Sequence, residues 1–312
     1  YFIFHAGVIM SIEEFKSELI DTINNTCVEN KVPVKAFIHK IWKINTFDDK
    51  LSFTTPEELT TAPSISIGDI YLEYCKEHQN MNTIVQKILA TFLWYCENDA
   101  YEDLSKQNLT NMQTYIDKIS ETGNLIPVLI NTKANEKFIS ELVHRQWLDL
   151  TIVYQLSLKR DETSVMTLFI TNGILKHINL SENDLYEKAM ENLEISTMLA
   201  HTTDLPSKAN DRRDNEMIAI SARGEYGAAG ILNHKAIRFL AEKYGDMYLL
   251  PASIDMFYAI KTDMDIPENL LESVYEINQT IKPTERLSNN IYKLHADGLR
   301  VELIRSKHKD LL

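Results

Sequence analysis

Residues 216–261, EMIAISARGEYGAAGILNHKAIRFLAEKYGDMYLLPASIDMFYAIK, constrain the fold more than any other stretch of the chain. They read as a strand, a tight glycine-containing turn, a short second strand, a helix, a strand, a kink and a final strand. Asn233 has the side chain that caps free helical amides, and Gly245 is the matching stop after Tyr244. The spacing from Gly224 to Gly230 is not a nucleotide fingerprint, because a phosphate loop follows a strand and opens directly into a helix. Small residues in this pattern instead suit a close approach of two backbones.

Upstream, apolar residues recur at helical spacing over 11–30 (Ile12, Phe15, Leu19, Ile20, Ile23), and Ser11 and Glu14 have capping-box spacing. Pro33 ends that helix, and 34–44 alternates as a strand. A turn-rich stretch, Thr54 to Pro63, precedes expected helices from Ile67, over 81–97 and over 109–120. The predicted pattern then alternates. A buried strand covers 125–130, a helix lies near 133–141, and one long strand spans 147–158. A partner strand covers 165–171, and Ser181 caps a helix to about Leu193. Beyond 216–261, Pro267 opens a helix to about Gln279, and a last strand covers 290–295.

The fold class expected is α+β: a helical N-terminal region on a mixed, mainly antiparallel sheet, with a C-terminal strand-helix-strand-strand unit. The polar stretch 201–215, with Pro206 and the charged run Asp211 to Asp214, is the candidate boundary between 10–200 and 216–296; the alternative is that the two regions share one core. Residues 1–9 read as an upstream extension, with Met10 as the natural start. They lack a basic n-region and cleavage pattern. Residues 297–312 read as a basic, amphipathic tail.

The 312 residues can bury a sizeable core. A formal charge of −13 repels phosphates, which disfavours direct nucleic-acid or anionic-membrane binding. No run approaches the ~20 apolar residues of a membrane helix, so no membrane partner is expected. Cys27, Cys75 and Cys96 have neither zinc-site nor disulfide-framework spacing and suit a reducing compartment, pointing to the cytoplasm. The histidines are dispersed, with no metal motif, and no cofactor or metal is expected.

Three stretches, HRQWLDLTIVY (144–154), ITNGILKHINLSENDLYEKAMENL (170–193) and GAAGIL…YLLPASI (227–254), resemble in order those of the bacterial proteins grouped as domain of unknown function 5688. The resemblance covers roughly 11–296. It implies a bacterial source and an association with mobile elements, and it implies no activity. One departure stands out. The family stretch after the proline commonly reads Ser-Ile-His-Glu, where this chain has Ser253-Ile254-Asp255-Met256. Were that His-Glu pair catalytic in relatives, this chain would lack it.

The candidate binding residues are His144, Arg145, Asp149, Asn233 and Ser253. In one long strand, Arg145, Trp147 and Asp149 would share a face, so that Arg145 could hold an anion while His144 or Asp149 moved protons. The bland alternative is an ion pair at a strand entrance. Ser253 lacks the glycines of a nucleophile elbow. The leading expectation is a non-enzymatic cytoplasmic interaction or regulatory protein with an unidentified protein partner. The alternatives are an enzyme built around His144, Arg145 and Asp149, or an acidic nucleic-acid mimic that inhibits a basic partner.

Overall fold

The computed structural model describes residues 10–54, 64–77, 80–97, 112–160, 165–202, 217–263 and 265–308. The expected features on 1–9, 55–63, 98–111 and 203–216 lie outside the described residues, as does the Cys96 side chain. The class is α+β, with antiparallel sheets. The chain divides into two compact units, residues 1–43 with 47–109 and residues 44–46 with 110–312.

In the first unit, helix α1 (Ile12–Glu29) starts on the expected Ser11–Glu14 capping box. Its inward stripe, Phe15, Leu19, Ile23 and Cys27, repeats every four residues, as one face of a helix requires. The stripe packs with α2 (Ile67–Glu77), α3 (Met81–Glu97) and a small sheet of β1 (Lys35–Lys43), β2 (Thr46–Thr54) and β3 (Ile65–Ser66). Phe53 and Phe92 stack at 4.2 Å between ring centroids. Strand β2 was not anticipated, because Asp48-Asp49-Lys50 reads as a polar loop. Those charges are answered locally, by Lys43 and Lys50 on Asp48 at 3.0 and 2.9 Å and by Lys16 on Asp49 at 2.5 Å. Only Leu51, Ser52 and Phe53 turn fully inward.

The second unit holds two larger sheets. The first consists of β4 (Leu125–Asn131), β5 (His144–Trp147), β6 (Leu150–Arg160) and β7 (Val165–Phe169), with β6 central. Residues 150–158 are buried without a break, as expected of a strand covered on both faces. The six-stranded sheet runs β13 (Val301–Ile304), β12 (Ile291–Leu294), β10 (Met247–Ser253), β11 (Met256–Lys261), β9 (Met217–Ala222), β8 (Thr197–Thr202). Helix α4 (Met112–Ser120) precedes β4, and the one-turn α5 (Glu136–Ile139) follows it. Helix α6 (Asn172–Ile178) leads to α7 (Glu182–Ser196), which packs on β4. Helix α8 (His234–Tyr244) precedes β10, and α9 (Pro267–Thr280) covers β10 and β12.

Further features differ from the sequence reading. The expected strand 147–158 is a hairpin: Trp147 pairs with Leu150, and Leu148 takes a left-handed φ of 52° in the two-residue turn. The glycine-rich segment Gly227–Leu232 is a buried 3₁₀ helix, not a strand, and packs against β9, β11 and β4. On either side of the candidate boundary at 201–215, β8 and β9 pair in register from Thr197↔Ala222 to Thr202↔Met217. Residues 301–304 of the expected basic tail form edge strand β13, paired with β12. Helix α6 escaped notice because its seven residues give too short a periodicity; Thr171 caps it, and a left-handed Asn179 ends it.

Several carboxylates sit below their ordinary range. Asp184 is held down by the Ser181 hydroxyl and amide it caps. Asp246 is held down by Lys293 and then by the Ala296 amide. Folding therefore releases protons from these groups. The stability they confer is present above their unfolded values, about 4 for aspartate, and is lost as pH falls through the lower folded values. Melting temperature should decline steeply below about pH 4. Asp184→Asn should melt lower near neutrality yet show a shallower acid slope, and a slope identical to that of the parent would contradict the assignment.

Candidate functional site

The hairpin β5–β6 separates the sequence-derived candidates into two clusters. In the first, Arg145 forms a two-point ion pair with Glu182 at the start of α7, with Nε to Oε1 at 3.0 Å and Nη2 to Oε2 at 2.6 Å. Its guanidinium also lies 3.7 Å from the Tyr186 ring centre. The buried Tyr154 hydroxyl donates to the same Glu182 carboxylate. Burial, and then the Glu182 carboxylate, push the Tyr154 phenol well above its ordinary range, so it serves as a hydrogen-bond donor. Glu182 likewise raises the Arg145 guanidinium. His144 is exposed, with Nδ1 at 2.9 Å from the Leu142 carbonyl oxygen.

Asp149 ends the hairpin turn and belongs to the second cluster. Its Oδ2 accepts from Ser288 Oγ at 2.6 Å and Asn290 Nδ2 at 2.8 Å, and its Oδ1 accepts from the Tyr292 hydroxyl at 2.8 Å. Burial foremost, and then the Asp149 charge, raise the Tyr292 phenol well above its usual value. The donor segment is itself fixed by buried amides. Asn131 Nδ2 donates to the Leu287 carbonyl at 2.7 Å, and Asn278 Nδ2 donates to the Ser288 carbonyl at 2.9 Å. Trp147 covers the cluster, its ring centre 5.3 Å from that of Tyr292. Arg145 and Asp149 share no bonding partner.

The remaining candidates sit at element ends. Asn233 is buried and caps α8, its Oδ1 accepting from the Lys235 and Ala236 amides at 3.0 and 3.2 Å. Ser253 lies at a bulge in β10, where its hydroxyl accepts the Asp255 amide at 3.1 Å. Asp255 in turn accepts the Tyr226 amide at 3.0 Å through Oδ1, and its carbonyl accepts from Ser221 Oγ at 2.8 Å. This turn therefore docks onto the entrance of the 3₁₀ segment. Ser288, Asn290 and Tyr292 had not been singled out. The one available signal was the polar Ser288-Asn289-Asn290 preceding an apolar strand. Among the described residues, no group of three or more His, Cys, Asp or Glu is placed to hold a metal ion, and no helix is long and apolar enough to cross a membrane.

A cleft of about 990 Å³ opens beside Asp149, lined by Asn131, Gln146, Asp149 and Asn290 on one side and by 305–308 on the other. A smaller one, about 280 Å³, lies near Trp147, Tyr186 and His234.

An antiparallel α+β fold with two polar clusters joined at one hairpin thus carries the three resembling stretches, and these meet in space. Arg145 and Tyr154 of the first bond to Glu182 of the second, and the 3₁₀ segment of the third packs against α7 of the second. The chain belongs to the family of unknown function DUF5688, whose model matches residues 12–295. No curated protein and no solved structure matches it.

Proposed function

We propose that the protein is a non-enzymatic interaction or regulatory protein of the cytoplasm that acts on a protein partner. The observation carrying this reading is that the residue types suited to catalysis are committed to architecture. Nε and Nη2 of Arg145 are spent on Glu182 and Asn183, and Asp149 receives three donors from a single segment. An enzyme built on His144, Arg145 and Asp149 would need them converging on one reacting atom. The acidic-mimic alternative needs carboxylates concentrated on one surface. Ion pairs such as Lys235–Glu194 and Lys293–Asp246, both within 3 Å, instead interleave the charges.

The test is to incubate the purified chain with a metabolite extract and, separately, to isolate it from a host lysate for native mass spectrometry. The expected result is a stoichiometric protein partner that is still retained by His144→Ala, with no metabolite consumed beyond the molar amount of protein. Multiple-turnover consumption that disappears in His144→Ala would replace this reading with the enzymatic one.

A further inference from the structure

We infer that the cleft beside Asp149 is a binding site for a phosphorylated sugar, a small-ligand function beyond the partner-binding role proposed above. Its walls are the turn after β4 (Asn131, Thr132, Lys133, Glu136), the tip of the β5–β6 hairpin (Gln146, Asp149) and residues 305–308, which follow β13. That segment is pinned at alternate residues. The Ser306 amide donates to Asn290 Oδ1 at 2.8 Å, while His308 stacks on Tyr275 at 3.9 Å and places Nε2 2.8 Å from Glu272. Arg305 and Lys307 both line the cleft, and neither side chain makes a hydrogen bond or ion pair among the described residues.

The charge balance favours an anion at this place. Arg305 and Lys307 stand against Glu136, while the Asp149 carboxylate already accepts three hydrogen bonds from the protein. In a chain of net charge −13, a local cation excess next to a cleft is the exception. Two cations anchored through their neighbours, and without partners among the described residues, form a preorganised anion clamp.

The rest of the lining selects the ligand class. Apart from the wall residue His308, it contains no aromatic ring and no large aliphatic side chain, so a nucleobase or an acyl chain would gain no stacking or apolar burial. It does offer hydroxyl-matching groups: the Gln146 carbonyl, the second N–H of Asn290 and the hydroxyl proton of Ser306. A volume of about 990 Å³ holds a sugar phosphate together with bridging waters.

The experiment is calorimetric titration of the full chain with ribose 5-phosphate, ribose and inorganic phosphate at low ionic strength. The parent should bind ribose 5-phosphate saturably and more tightly than either fragment. Arg305→Glu with Lys307→Glu should weaken it by at least about tenfold. Lys40→Glu with Lys176→Glu, the same charge change at exposed positions outside the cleft, should leave affinity within about twofold of the parent. Equal weakening by both double variants would reduce the effect to net charge and overturn the site. Phosphate binding as tightly as the sugar phosphate would overturn the ligand class, and no heat with ribose 5-phosphate at millimolar concentration would overturn the inference altogether.

Discussion

Replacing Gly227 with alanine is expected to lower the melting temperature by about 10 °C or to abolish soluble expression. A Cβ on Gly227 would sit 2.2 Å from Ser221 Oγ, 2.6 Å from the Asp255 carbonyl oxygen and 2.8 Å from the Ala222 carbonyl oxygen. The first neighbour can rotate away. The other two are backbone atoms of β9 and of the β10–β11 turn, and moving them means separating paired strands. Overpacking of this kind costs about 1–3 kcal/mol when side chains can yield, and more when backbone must. Three comparisons isolate the cause. Gly230→Ala, whose Cβ would meet its nearest neighbours, Ser221 and Ala222 backbone, at 2.9–3.4 Å, should also destabilise, but less. Gly173→Ala, with nothing nearer than 3.5 Å, should be close to neutral. Ser221→Gly combined with Gly227→Ala should recover only part of the loss, because the carbonyl clashes remain. A melting temperature for Gly227→Ala within about 2 °C of the parent, by circular dichroism, would refute the close-approach account.

The same segment shows what a sequence can and cannot convey here. Small residues over 227–230 do announce that backbones will meet, and they do meet. Their spacing does not say which backbones, and so a 3₁₀ turn between two sheets was read as a strand. Helices α1, α7 and α9 were legible because each joins an end signal to several turns of periodic apolar residues: Ser11 in a capping box, Ser181 as an N-cap, Pro267 in the first turn. Strand β2 was hidden because its first half carries the charges Asp48, Asp49 and Lys50, whose pairing with Lys43, one another and Lys16 no apolar alternation reveals. The hairpin at Leu148 was hidden for a different reason. Leucine rarely adopts positive φ, so no Asn-Gly or Asp-Gly marked the turn, and alternation ran straight through it. That single misreading placed Arg145 and Asp149 on one face. Their true partners lie 37 residues or more along the chain, at Glu182 and at 288–292, and no local pattern connects such distances.

Asp149→Ala should destabilise the second unit by about 3–5 kcal/mol, because it strips the acceptor from three donors at once. Tyr292 is fully buried and Ser288 nearly so, and neither hydroxyl has another acceptor of comparable strength once the carboxylate is gone. Hydrogen bonds to a charged group contribute roughly 1.5–3 kcal/mol each, and a buried donor left unpaired adds its own desolvation penalty. Asp149→Asn should cost less, since its carbonyl can keep the Ser288 and Asn290 donors while its amide faces the Tyr292 oxygen as a donor. Tyr292→Phe removes one donor and leaves Asp149 half exposed to water with two partners, so it should also cost less than Asp149→Ala. The pair is therefore coupled. In urea denaturation, the Asp149→Ala, Tyr292→Phe double variant should be more stable than the sum of the single losses implies, by about 1–2 kcal/mol, because the phenylalanine ring no longer carries an orphaned hydroxyl. Strict additivity would mean that Asp149 and Tyr292 do not act on each other. Asp149→Ala at parental stability would free Asp149 from its architectural role and return it to the list of groups available for chemistry.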